Sequence, residues 1–264
     1  MRGMRLFLVL VLVSMQGCAT MGHGSKSGLN SSNETVSDPL ESMNQKVFSF
    51  NMGLYDYVLE PVAKGYEAVT PQTFRTGVAN FFNNATYPYV FMNDFLQGRT
   101  DQGLTDFSRF LANTVIGIGG LFDVASHMQL PPHQNSFGVT LGVWGVPQGA
   151  YLVLPFLGPA SVRSLPGIPI EILSSPFYYI TNPTAQWSIT AMGIVNTGYT
   201  KRGEIQLVKQ SLFPYYFARS AWEQHEQYLI RGSKLNHRRI LEKLGPDEED
   251  MPKKETLPFA TPKP

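Results

Sequence analysis

Apolar residues recur at three- and four-residue steps along most of the chain, so helices are the predicted elements. Leu40, Met43, Val47, Phe50 and Leu54 form one such stripe. Asp38-Pro39 opens it with a capping side chain and a proline at the first helical position. Thr70-Pro71 repeats that start and leads to Phe74, Val78, Phe81, Phe82 and Ala85, with a break expected at Tyr87-Pro88. Asp101 opens a third segment in which Leu104, Phe107, Leu111 and Val115 share a face while Asp106 and Arg109 lie off it. Gly117, Gly119 and Gly120 mark its end. Pro214 to Arg231 reads as a further helix, with Arg219, Glu223, Glu226 and Arg231 placed on its wet side. Two-residue alternation is nowhere sustained, so the fold class is all-α rather than a sheet. Beyond Arg231 the pattern turns polar, which predicts a solvated helix end and a disordered, acidic, Pro-rich tail over 233–264.

Charge changes this picture through its placement. The whole chain is 16% charged with a formal net charge of +1, a balance that gives no basic footprint for nucleic acid. Yet Val124 to Val162 contains no Asp, Glu, Lys or Arg, and the continuation to Thr200 contains only Arg163 and Glu171. A soluble helical domain carries charges on its outer faces; here they are missing, so lipid or protein must cover this stretch. Pro131, Pro132, Pro147, Pro155, Pro159, Pro166 and Pro169 interrupt it, so it is not a membrane-spanning helix. Trp144, Tyr151, Tyr178, Tyr179, Trp187 and Tyr199 are side chains that favour a bilayer interface.

Residues 1–17 have the parts of an export signal. Arg2 and Arg5 precede the apolar run Leu6 to Val13, too short to span a bilayer. Gly17-Cys18 then resembles the lipobox of bacterial lipoproteins, in which the cysteine becomes the lipid-modified first residue. Ala19, where an Asp would resemble an inner-membrane retention signal, points to the outer membrane. Residues 18–37 read as a flexible tether, and 38–232 as the main domain.

Catalytic constellations are not visible: there is no P-loop, no Gly-x-Ser-x-Gly elbow and no His-Glu-x-x-His. Gly117-Ile118-Gly119 is better read as a helix end than as a dinucleotide fingerprint, since Phe122 stands at the third glycine position. His127 and His133 read as surface or hydrogen-bonded side chains rather than ligands. Gly138, Gly142, Gly145 and Gly149 would line one helical face, but Pro147 points to a kinked or hinged hairpin.

Several ordered blocks carry a family resemblance. They are Asp38-Pro39-Leu40-Glu41, Asn44, Phe50-Asn51, Pro71-Gln72, Arg75, Asn80-Phe81-Phe82-Asn83-Asn84 and Asn93-Asp94-Phe95-Leu96-Gln97-Gly98. Further along come Arg109 to Thr114, Gly117 to Asp123, Phe137 to Gly142, Tyr151 to Pro155 and Leu157-Gly158-Pro159. Together they resemble the MlaA (VacJ) lipoproteins of Gram-negative outer membranes. The resemblance implies an all-α, ring-like arrangement of amphipathic helices embedded from the periplasmic side of the outer membrane, with an amphipathic channel. It also implies removal of misplaced phospholipid from the outer leaflet, hand-over to the periplasmic carrier MlaC, trimeric porins as neighbours, and no cofactor or covalent chemistry.

On this reading Cys18 is the lipid anchor and Phe137 to Pro159 the gating hairpin. Phe137, Gly138, Leu141, Gly142, Gly145, Gly149, Tyr151, Leu154 and Pro155 are its channel or hinge candidates. Arg163 is the candidate partner for a lipid phosphate, or else the partner of a carboxylate such as Glu171. Two other readings stand beside this one: a passive porin-associated structural lipoprotein, and an envelope enzyme hydrolysing phospholipid or peptidoglycan.

Overall fold

The computed structural model describes residues 38–244. The export signal 1–17, Cys18, the tether to residue 37 and the acidic tail from residue 245 lie outside the described residues. The described chain is helical apart from one short hairpin. Helix α1 (Glu41–Leu54) passes through a π-helical turn, Tyr55–Leu59, into α2 (Glu60–Val69). Pro61 stands in the first turn of α2 and has no N–H to give the turn before it, and the widened turn takes up that loss.

Helix α3 (Gln72–Leu96) corrects one expectation, because it continues straight through Pro88 instead of ending at Tyr87. Tyr87, Tyr89, Val90, Asn93 and Asp94, on both sides of the proline, are all buried. Packing along α4 (Thr100–Val115) therefore outweighs the lost hydrogen bond.

Two short helices follow. Asp123 Oδ1 accepts from Ser126 N at 3.2 Å to cap α5 (Val124–His127), and Ser136 Oγ accepts from Val139 N at 3.2 Å to cap α6 (Phe137–Val143). After the hairpin come α7 (Gly167–Ser174), a 3-10 turn at Pro176–Tyr179, α8 (Pro183–Thr200), α9 (Arg202–Gln210) and α10 (Pro214–Leu244).

The hairpin is a second correction to the all-helical expectation. Strand β1 (Tyr151–Leu154) pairs antiparallel with β2 (Gly158–Ser161), Tyr151 opposite Ser161 and Leu154 opposite Gly158. Its free edge is held by asparagines of α1. Asn44 Nδ2 donates to Tyr151 O at 3.0 Å, and Asn44 Oδ1 accepts from Val153 N at 2.9 Å. Seven residues on, Asn51 does the same to Leu154 O and Phe156 N, both at 2.9 Å. Two side-chain amides on one face of α1 thus stand where a third strand would pair. Tyr151 and Val153 point inward onto Tyr215 of α10, with Val47, Phe48 and Trp222 around them, and make the main apolar cluster.

Most helices turn the other way. In α4 the stripe Leu104, Phe107, Leu111 and Val115 faces outward, with Val115 75% exposed, while Asp106 and Arg109 are buried. In α1 Met43 and Phe50 are exposed and Asn44 is fully buried; in α3 Phe74 is exposed and Arg75 is buried. Among the described residues, buried polar or charged side chains outnumber buried apolar ones. That reverses the usual distribution for a protein in water.

Candidate functional site

The polar interior is built around α3, α4 and the start of α6. Asn135 Nδ2 donates to Asp94 Oδ1 at 2.8 Å. Gln97 Nε2 donates to Asn135 Oδ1 at 2.7 Å and to Thr140 Oγ1 at 2.8 Å, and Thr140 Oγ1 donates to Asn93 Oδ1 at 2.7 Å. All five side chains are buried. His133 Nδ1 lies 3.1 Å from both carboxylate oxygens of the buried Asp106, so this histidine is hydrogen-bonded. Burial raises the Asp94 carboxyl to about 7, and Asp106 beside it pushes the same way.

A second network closes the turn after α4. Arg109 donates through Nε to Tyr87 Oη at 2.7 Å and through Nη2 to Asp123 at 3.0 Å. Its Nη1 also reaches Leu130 O. Asn113 adds a bond to Asp123 at 3.0 Å and accepts from Ala125 N at 2.9 Å. A nearly fully buried guanidinium is tolerated because every face of it meets an oxygen or an aromatic ring.

The segment expected to form the gating hairpin is composite. Gly138 and Gly142 lie in α6, whereas Gly145 and Gly149 follow it with φ of +93° and +70°, so the helical glycine face stops at Val143. A methyl at Gly138 would meet Ser164 Cβ at 2.9 Å, and one at Gly142 would meet Ile230 Cδ1 at 2.5 Å and Arg163 Cζ at 3.1 Å. These two glycines let α6 lie against α10; Gly145 has open space around it. Phe137, Leu141 and Leu154 are half-buried, Tyr151 is buried, and Pro155 is exposed at the hairpin turn.

Arg163 is buried, and its Nη2 lies 2.7 Å from Glu226 Oε2 on α10. The carboxylate that answers it is Glu226 and not Glu171. Glu226 was expected on the wet face of its helix; the structure buries it, because α6 and the segment after β2 pack over that face. The fold thus brings Arg163, Gly138 and Gly142 together around Glu226, and leaves Gly145, Gly149 and Pro155 at the surface. Sequence reasoning missed Asn44, Asn93, Asp94, Asp106 and Glu226 as interior residues. The available signal was that Asp94 and Asp106 fall on the far side of their apolar stripes; Asn44, Asn93 and Glu226 carried none.

Fold and site together define a class: a helical protein with an apolar exterior and a hydrogen-bonded polar interior. The chain belongs to the MlaA lipoprotein family, whose profile matches residues 36–229. It is 33% identical over 234 residues to the intermembrane phospholipid transport system lipoprotein MlaA of Escherichia coli strain K12, covering 86% of this chain and 89% of that protein. The protein of the same name from Haemophilus influenzae is 32% identical over 237 residues, covering 86% and 90%. A solved structure described as "Structural basis for maintenance of bacterial outer membrane lipid asymmetry" superposes with a TM-score of 0.64 at 32% identity. It covers 74% of this chain and 99% of that one.

Proposed function

We propose that this chain is an outer-membrane lipoprotein that removes misplaced phospholipid from the outer leaflet, passing the headgroup along its polar interior to a periplasmic carrier of the MlaC type. The observation that carries the reading is the inverted surface. Leu104, Leu111, Val115, Ile116, Ile118 and Phe122 form an exposed apolar band over α4 and the turn after it. In water such a band is unfavourable by about 25 cal/mol per Å²; against acyl chains it carries no such penalty. No described helix is long and apolar enough to cross a membrane. Because their apolar side chains face outward, the helices are read as lying in the bilayer around a polar passage, ring-like, anchored through Cys18. A charged headgroup in hydrocarbon costs several kcal/mol, on the order of the cost for a charged side chain there. Asparagine, threonine and paired charges flanking such a passage would lower that barrier with no covalent step. Trimeric porins are the expected neighbours. The names of the relatives in the transport system support this reading.

The test is the amount of phospholipid accessible to an impermeant amine-reactive label on the cell surface. Cells lacking the gene are expected to show more of it, and cells carrying the chain on a plasmid the original level. Unchanged labelling with intact porin association would instead establish a passive structural lipoprotein.

A further inference from the structure

Asp94 and Asp106 come from different helices, the end of α3 and the middle of α4, and both are fully buried. Asp94 Oδ1 accepts from Asn135, but its Oδ2 is buried and receives no hydrogen bond. The amide donors nearby point elsewhere: Gln97 Nε2 to Asn135 Oδ1 and Thr140 Oγ1, and Asn93 Nδ2 to Tyr89 O at 2.8 Å. What stands within hydrogen-bonding reach of the Asp94 carboxyl is the carboxyl of Asp106. Two ionised carboxylates are acceptors only, so a hydrogen bond between them needs a proton.

The charges around the pair decide where that proton sits. His133 Nδ1 is 3.1 Å from both oxygens of Asp106, which favours Asp106 as the anion. Asp94 has the Asn135 amide instead, and so is the better carrier of the proton. Arg99, between the two helices, lends positive charge to both carboxyls, while its own buried Nε has no acceptor. Arg109, one turn along α4, is engaged by Tyr87 and Asp123. Of the other elements packed on α3 and α4, α6 has no titratable side chain and α5 has the exposed His127. Glu171 of α7 acts on Tyr89, and Tyr199 of α8 bonds Gln72 Oε1 at 3.3 Å. Among the described residues no group of His, Cys, Asp and Glu suits a metal ion, which favours a proton over a metal cation as the occupant.

We propose that Asp94 and Asp106 share one proton, carried on Asp94 Oδ2, and that this proton latches α3, α4 and the segment entering α6 together. With the proton in place and His133 uncharged, the two carboxyls and Arg99 are electrically neutral. Without it, two like charges face each other in a dry interior and drive α3 and α4 apart. Asn135 directly precedes Ser136, the cap of α6, so the disturbance reaches the start of that helix. The polar interior is therefore tight at mildly acidic pH and loosened above neutrality.

The test is infrared spectroscopy of the full-length lipoprotein in non-ionic detergent, following the C=O stretch that only a protonated carboxyl gives. Ordinary carboxylates are ionised above about pH 6, so a band remaining there reports a held proton. The band is expected to be half lost at about 7 and to be absent from Asp94→Asn, whose amide gives Asp106 a permanent donor. Folding should follow the same proton. An Asp carboxyl raised from 3.8 to about 7 binds its proton more tightly in the folded chain, so stability falls as pH rises through that window. Relative to Asp94→Asn, the wild-type unfolding constant should rise at least about tenfold between about pH 5 and about pH 8. No band in the wild type at about pH 6, a band that survives Asp94→Asn, or equal pH slopes in the two proteins overturns the proposal. Glu171 is the other described acid that burial raises. If Asp94→Asn does not fold, Glu171→Gln decides: a band retained there supports the pair, and a band lost there overturns it. The latch is tested without any lipid substrate, so its failure leaves the transport reading untouched.

Discussion

Replacing Glu226 by alanine is expected to lower the stability of the folded chain by about 3–5 kcal/mol, the cost of leaving a buried charge without its partner. Arg163 would keep only Val146 O, at 3.3 Å from Nη1, and its Nε has no acceptor even in the intact protein. Both side chains are more than nine-tenths buried, so water cannot step in. The damage should spread through α6, because Gly138 and Gly142 pack directly on this pair. Equilibrium denaturation in detergent micelles measures the loss. The double change Arg163→Met with Glu226→Leu should recover most of it, since an apolar pair of similar volume no longer pays desolvation. A loss under about 1 kcal/mol for the single change would show that solvent reaches the pair.

Asn44→Ala is expected to cost roughly 2–4 kcal/mol, because it leaves the N–H of Val153 and the C=O of Tyr151 buried with no partner on that side. Asn44 is fully buried and also bonds Asp38 Oδ1 at 2.8 Å. Asn51→Ala makes the internal comparison. It removes the same kind of bonds from Leu154 O and Phe156 N, but Phe156 stands 73% exposed and water can take the vacated places. Its cost should stay near or below about 1 kcal/mol. Melting midpoints of the two variants in one detergent measure the difference. Equal destabilisation would contradict the idea that the hairpin edge is dry at Tyr151 and wet at Phe156.

Periodicity made the helices legible and left their orientation open. The spacing of Leu104, Phe107, Leu111 and Val115 defines a face of α4, but a repeat of 3.6 residues states an angle and never says which side meets solvent. Within the main domain's own pattern, the missing charges between Val124 and Val162 and the interface-favouring Trp and Tyr side chains pointed toward lipid, and the exposed Trp144, Phe156 and Leu157 of that stretch agree with it. The hairpin was illegible because four residues per strand are too few to show alternation, and because Asn44 and Asn51, which complete its edge, lie about a hundred residues away. Pro88 misled for a related reason: local propensity ends a helix there, and packing along α4 overrides it. Glu226 looked like one more charge on a wet helix face. Its partner Arg163 is 63 residues distant, and such pairs leave no trace in local pattern. His133 and Asp106, 27 residues apart, were invisible to motif spacing for the same reason.

The most direct measurement places a nitroxide on the outer stripe of α4, at Leu104→Cys, Leu111→Cys and Val115→Cys, in protein reconstituted into phospholipid vesicles. Oxygen concentrates in hydrocarbon and a nickel chelate stays in water, so their relaxation effects report which medium surrounds each site. The expected result is oxygen dominance at all three positions and chelate dominance at Glu204→Cys, on the polar helix α9. Chelate dominance at Leu111 would mean that this stripe faces water, and the inverted surface would then lose its explanation.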